Sequence, residues 1–182
     1  YETTRSLSSG DTLLYPEEKH FRNLQQLTFG GDNAEAYFSF DGKWLVFQKT
    51  NPKEGILCDQ IYIGRIPQKA GDKFEPRRIS SGKGRTTCAF FTKDGKNIIY
   101  ASTHLGGDDC PPVPDRSKYG NRYLWAVYQS YDIFMADLDG KIVKRLTNTP
   151  GYDAEGTLSP DGKKMIFTSM RDGDLDLYMM DL

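Results

Sequence analysis

The sequence lacks a long apolar run and an excess of charge of either sign. No stretch approaches the roughly 20 apolar residues of a membrane-spanning helix. The 182 residues include 24 basic and 25 acidic side chains, which leaves a formal net charge of -1 and no basic surplus to neutralise phosphates. We therefore expect neither a membrane span nor a nucleic-acid partner.

The residue types and motifs that carry most enzyme chemistry are also scarce. Cys58, Cys88 and Cys110 have no spacing typical of a zinc site, and their odd number is compatible with isolated thiols and at most one disulfide. The only histidines are His20 and His104, too few for a histidine-based metal centre. Neither a G-x-S-x-G nucleophile elbow nor a glycine-rich phosphate loop is present. The sequence therefore predicts no catalytic residue, no metal site and no cofactor.

Aromatic and turn-forming residues, in contrast, are plentiful. The chain has 11 Tyr, 10 Phe and 2 Trp together with 18 Gly and 9 Pro. Aromatic residues favour strands, whereas Gly and Pro favour the turns between them. This composition predicts many short strands rather than long helices.

The tripeptide Asp-Gly-Lys occurs three times, beginning at Asp41, Asp94 and Asp161. Around each copy, similar residues recur at matching distances, which is the signature of a structural repeat. The aligned columns are Leu27, Ile79 and Leu146; Phe38, Phe91 and Leu158; Ser39, Thr92 and Ser159; Val46, Ile99 and Ile166; Phe47, Tyr100 and Phe167; and Ile61, Ile133 and Leu177.

Each copy is typical of a four-stranded antiparallel unit in which Asp-Gly-Lys forms a tight hairpin turn between the first two strands. In the third copy we predict strands at about 154–159, 164–169 and 176–181. Ile79 and Leu146 fall in the fourth strands of the earlier copies, and Leu27 in a strand before the first. Stacked units of this kind are the blades of a β-propeller. The interpretation predicts that the central apolar side chains of the second strands are largely buried, namely Phe47, Ile99, Tyr100, Ile166 and Phe167.

The second copy contains an insertion. Its turn Asp precedes the third-strand aliphatic residue by 39 residues, against 16 in the third copy, so an excess of 23 residues lies within about 104–130. A Gly- and Pro-rich loop comes first, followed by Tyr119, Tyr123, Trp125 and Tyr128. Exposed, these aromatic side chains would form a recognition surface; buried, they would be the insertion's own small core. We favour the small core, because a long excursion must bury something to be ordered.

Residues 158–169, followed by Arg171-Asp172-Gly173 and Asp176-Leu177-Tyr178, resemble the WD40-like repeat of TolB-type β-propellers. The resemblance extends over residues 23–182, after an N-terminal segment at 1–22, with repeats at about 23–80, 81–147 and 148–182. It implies an all-β fold with three recognisable blades of a six- or seven-bladed ring. Three blades cannot close such a ring, so the resemblance predicts that the chain is a fragment or that further blades lie elsewhere.

Propeller ligands usually bind near the central axis, where the first strands converge. Glu35 and Glu155 both lie six residues before a turn Asp, and we expect them at the mouth of the channel, where they would attract cations or basic peptides. The alternative is that they are solvated loop carboxylates. The candidate binding residues also include Asp153, together with His104 and Arg171, which lie at matching ends of second strands.

The function indicated by the sequence is a non-enzymatic β-propeller that binds a protein or peptide partner in the periplasm or outside the cell. The alternative is the non-catalytic propeller of a larger hydrolase, such as a prolyl-oligopeptidase-like peptidase, where it would gate substrate access. The same repeat serves several functions, so the fold alone does not decide between them.

Overall fold

The computed structural model describes residues 13, 15–21, 24–69, 72–120, 122 and 124–182. The chain divides into two compact units, Tyr1–Gly30 and Gly31–Leu182. In the first unit, residues 24–29 form no strand, so the predicted strand at Leu27 is wrong. A strand needs a hydrogen-bonded neighbour, and the described part of this unit contains no second strand to pair with it.

The second unit is all-β and consists of three antiparallel sheets. Within each sheet, strands that are consecutive in the chain are neighbours. The first sheet contains β1 (Asp32–Phe38), β2 (Trp44–Asn51), β3 (Ile56–Arg65) and β4 (Arg77–Arg78); the second β5 (Thr86–Phe91), β6 (Asn97–Ser102), β7 (Asp132–Asp137) and β8 (Ile142–Arg145); and the third β9 (Asp153–Leu158), β10 (Lys164–Ser169) and β11 (Asp176–Asp181). The three strands predicted for the third copy are therefore confirmed to within one residue.

The repeated Asp-Gly-Lys turns share one hydrogen-bond pattern. In the third hairpin, the Ser159 hydroxyl donates to Asp161 Oδ1 at 2.6 Å and the backbone N–H of Lys163 donates to the same atom at 3.0 Å. The first two hairpins repeat these contacts within 0.1 Å. Gly162 has φ 75°, in the left-handed region that glycine adopts without strain. The hydroxyl and amide bonds stabilise the charged carboxylate and lower the pKa of each turn Asp.

Apolar side chains from facing sheets form two core clusters. Val46 of β2 lies in one cluster with Phe91 and Ile98 of the second sheet. Ile99, at the same repeat position, lies in the other with residues of the third sheet. The central strand β6 therefore packs against the first sheet with one face and against the third sheet with the other.

Ile166 departs from the predicted burial. Phe47, Ile99, Tyr100 and Phe167 are at most 3% exposed, as predicted, but Ile166 is 48% exposed. Its repeat position faces the following sheet, and among the described residues no sheet follows β11. The prediction of a buried Ile166 is wrong for that reason.

A disulfide between Cys58 and Cys110 ties the insertion to the neighbouring sheet. Cys58 belongs to β3 of the first sheet, whereas Cys110 lies in the insertion between β6 and β7 of the second. The two residues are 52 positions apart. Closing a loop of that length restricts the unfolded chain and stabilises the fold by about 4 kcal/mol on a chain-entropy model.

We predict that Ile99→Ala lowers the free energy of unfolding by roughly 2–5 kcal/mol, because it leaves a cavity between two sheets. Ile166→Ala, the same change at the equivalent exposed position, should cost less than about 1 kcal/mol. Urea denaturation followed by circular dichroism measures both. Equal losses in the two variants would contradict the packing described above.

We also predict that the turn carboxylates make stability depend on pH. A folded-state pKa below the unfolded value of about 3.9 stabilises the fold above that pH, and the gain is lost as pH falls through the folded-state pKa. The triple variant Asp41→Asn, Asp94→Asn, Asp161→Asn should therefore be less stable than the native chain at pH 7.

The difference in urea midpoint between that triple variant and the native chain should shrink as pH falls below about 4, where the native carboxylates become protonated. The charge-matched control is the triple variant Asp32→Asn, Asp109→Asn, Asp139→Asn, which removes three exposed carboxylates outside these turns. A gap that is constant from neutral to acidic pH would show that the charged form of the turn Asp does not matter.

Candidate functional site

The first strand of each sheet contains a bulge at the same repeat position. Glu35, Cys88 and Glu155 occupy it with φ values of 52°, 47° and 60°. The strand pairing shifts at this point in all three sheets. A positive φ is uncommon for residues other than glycine, and bulges change the direction in which a side chain projects. The three equivalent residues are therefore redirected in the same way.

The structure places Cys88 within electrostatic reach of both Glu35 and Glu155. Burial raises the pKa of the Cys88 thiol to about 11, and the negative charges of Glu35 and Glu155 add to the increase. Glu35 accepts a hydrogen bond from the Tyr37 hydroxyl at 2.7 Å, and Glu155 accepts one from the Thr168 hydroxyl at 2.6 Å. Cys88 at this pKa is almost entirely protonated at neutral pH, so it is a weak nucleophile.

Asp153, Arg171 and His104 lie at the ends of the sheets, in packed environments. Asp153 is 1% exposed and pairs with Arg171, whose guanidinium carbon lies 4.7 Å from the centre of the Tyr178 ring. The His104 ring lies 4.5 Å from that of Phe134, and its Nδ1 is 2.8 Å from the buried Ser102 hydroxyl. These contacts hold the ends of the second and third strands in place. Because Asp153 is buried, a ligand at the surface cannot reach its carboxylate.

Two of the insertion's aromatic residues, Tyr119 and Trp125, are not buried in a small core of their own. Tyr119 and Trp125 are 53% and 54% exposed. Tyr128 is half-buried and donates a hydrogen bond to the Pro112 carbonyl at 3.2 Å, and Tyr123 lies outside the described residues. The expectation of a separate core is wrong for Tyr119 and Trp125, because contacts with the sheets hold the insertion instead. Beside the disulfide, Asp108 forms an ion pair with Lys83 at 2.8 Å.

The insertion covers a cavity of about 490 Å³. On the insertion side the lining includes Val113, Pro114, Arg116, Trp125 and Tyr128. On the sheet side it includes Glu35, Gln48, Asp59, Arg85, Tyr131 and Tyr152. An ion pair of 2.5 Å joins Arg85 of the second sheet's entry loop to Asp59 of β3. The cavity therefore combines the exposed Trp125 side chain with polar groups from the three sheets and their entry loops.

The sequence motifs did not indicate four of these lining residues, namely Asp59, Arg85, Tyr131 and Tyr152. The signal that would have found them is the repeat itself. Arg85 and Tyr152 both lie nine residues before a turn Asp, and Asp59 and Tyr131 both lie two residues before the third-strand isoleucine. Because these residues differ chemically between copies, the columns do not stand out as a motif.

Neither a metal centre nor a membrane span is found in the described part of the chain. No group of three or more His, Cys, Asp or Glu side chains there is arranged to hold a metal ion. The same residues contain no helix with the length and apolar character needed to cross a membrane.

Comparison with known proteins relates the chain to TolB. No family model matches it. It is 38% identical over 170 residues to the TolB homologue of Chlorobium chlorochromatii. The alignment covers 91% of this chain and 30% of the relative. The chain spans less than a third of the length of the curated TolB homologues that it matches.

Solved structures give the same relationship. TolB from Acinetobacter baumannii matches 84% of this chain and 31% of its own, with a TM-score of 0.57 and 26% identity. A structure assigned to TolB from Agrobacterium tumefaciens matches 86% of this chain and 48% of its own, with a TM-score of 0.61; its 21% identity shows the fold alone. The repeat, the stacked antiparallel sheets and these similarities together identify the chain as a member of the TolB-like β-propeller family.

Proposed function

We propose that this chain is a non-catalytic part of a β-propeller that binds a protein or peptide partner through the insertion of its second sheet. The observation that carries the proposal is the exposure of large apolar side chains on that insertion. Val113, Tyr119 and Trp125 are each more than half exposed. Exposed aromatic residues on a segment that departs from the repeat are typical of binding surfaces.

The His104 environment supports a non-catalytic role. A His–Ser contact of 2.8 Å superficially resembles a nucleophile and its base, but the Ser102 side chain is only 1% exposed and cannot meet a substrate. At the equivalent position of the third sheet, Arg171 donates to Ser169 at 2.8 Å. A contact that recurs with a different residue type is a structural feature of the repeat.

Ring formation is the second part of the proposal. The outer face of the third sheet exposes Ile166, Leu177 and Met179, of which Leu177 is 76% exposed. The equivalent face of the second sheet is buried against the third. We infer that further sheets of the same repeat cover the exposed face in a six- or seven-bladed ring, because sheets that are apolar on both faces need a neighbour on each side.

The proposed location is the periplasm or the space outside the cell. The Cys58–Cys110 disulfide supports it, since such bonds persist mainly in oxidising compartments. Membership of the TolB-like family is consistent with export.

A photo-crosslinking amino acid placed at position 119 or, separately, at position 125 should capture a discrete protein partner in intact cells, because both native side chains are exposed on the proposed surface. With the identified partner purified, Trp125→Ala or Tyr119→Ala should weaken binding about tenfold or more in calorimetry. Replacing residues 105–129 by a short Gly/Ser turn, with Cys58→Ser to avoid a free thiol, should abolish binding and preserve the β signal in circular dichroism.

The matched control places the crosslinker at Asp139, an exposed position in the hairpin between β7 and β8. It should capture nothing at comparable yield. The proposal fails if positions 119 and 125 give no specific crosslink, or if the partner binds the deletion variant as tightly as the native chain.

A further inference from the structure

We propose that the cavity beneath the insertion binds a short neutral saccharide, a ligand class separate from the protein partner proposed above. Its volume of about 490 Å³ lies within the range of roughly 300–1,000 Å³ that is usual for small-ligand sites. The argument rests on three properties of the lining: hydrogen-bonding groups that remain available, balanced charge, and an exposed aromatic surface at the rim.

Polar groups of the lining keep hydrogen-bonding capacity within the described structure. Gln48 Oε1 accepts from the Thr87 hydroxyl at 3.1 Å and from the backbone N–H of Cys88 at 3.3 Å, which orients the amide and leaves its Nε2 donors unused. Glu35 receives the Tyr37 hydroxyl on Oε2, so its Oε1 is available as an acceptor. Arg85 bonds Asp59 through Nη1 only. Donors and acceptors therefore line the same space.

Charge in the lining is balanced. Glu35 and Asp59 contribute two negative charges, Arg85 and Arg116 two positive ones, and Arg85 is already neutralised by its 2.5 Å contact with Asp59. A charged ligand would need an excess of the opposite sign to offset the loss of its hydration. A polyhydroxyl ligand carries no charge and both donates and accepts, as this lining requires.

The aromatic rim supplies the complementary apolar contact. Trp125 lines the cavity and is 54% exposed, with the half-buried Tyr128 nearby on the same wall. A pyranose ring presents C–H groups on its faces and hydroxyls at its edge, so it can stack on an indole while its hydroxyls reach polar groups. Apolar rim and polar floor together fit a sugar ring better than an apolar or a charged peptide side chain.

The experiment uses the intact chain and three neutral probes, chitotetraose, cellotetraose and maltotetraose. Because the chain has two tryptophans, the Trp44→Phe variant reports on Trp125 fluorescence alone. Trp44 lies elsewhere, among the hairpin-turn residues Asp41 and Asp94, so this variant also serves as the matched control. We expect at least one probe to change the Trp125 emission saturably and to give the same affinity for the native chain in calorimetry.

Trp125→Ala should weaken that affinity about tenfold, through loss of the stacking surface. Gln48→Ala should weaken it as well, with an unchanged circular dichroism spectrum. The proposal is overturned if none of the three probes binds saturably. It is also overturned if Trp125→Ala and Gln48→Ala both bind the probe as tightly as the native chain does. If a crosslinker at position 119 captures a protein but no saccharide binds, the saccharide site alone is rejected. The proposed protein-binding function would then still stand.

Discussion

Face-to-face packing of sheets is the constraint on which the rest of this structure depends. Each second strand has apolar side chains on both faces: Val46 and Phe47 in β2, Ile99 and Tyr100 in β6. A sheet with two apolar faces cannot lie at the surface of a sandwich and must be covered on both sides. The alternation along one strand therefore forces a stack of sheets, and the stack places the first strands of successive sheets side by side. The bulges and the cavity lie where those strands meet.

Repetition explains why the fold was predictable from the sequence and why some details were not. Three copies of the same hairpin fixed the strand boundaries, because the same turn chemistry recurs at Asp41, Asp94 and Asp161. Burial of Ile166 was predicted wrongly for the same reason. A repeat indicates which face of a strand is apolar, but exposure depends on whether a further sheet packs there. The strand predicted at Leu27 likewise has no partner strand among the described residues of its unit.

The candidate site was harder to predict than the fold. The equivalence of Glu35 and Glu155 could be read from the spacing, but their left-handed backbone and the bulges could not, because neither residue type favours that conformation. The insertion was located from its length. Its attachment depends on a cysteine pair from different sheets and on an ion pair between Lys83 and Asp108, long-range contacts that no local pattern encodes. The cavity is lined by the insertion and by residues of the three sheets and their entry loops, so it was not visible in the sequence.

The placement of the three cysteines has a consequence for the chemical durability of the cross-link. A disulfide is exchanged when the thiolate of a third cysteine attacks one of its sulfurs. The third cysteine of this chain is Cys88, which is part-buried in the first strand of the second sheet, and burial raises the pKa of its thiol to about 11. Very little thiolate is therefore present at neutral pH, so the folded chain protects the Cys58–Cys110 bond from exchange with its own remaining thiol.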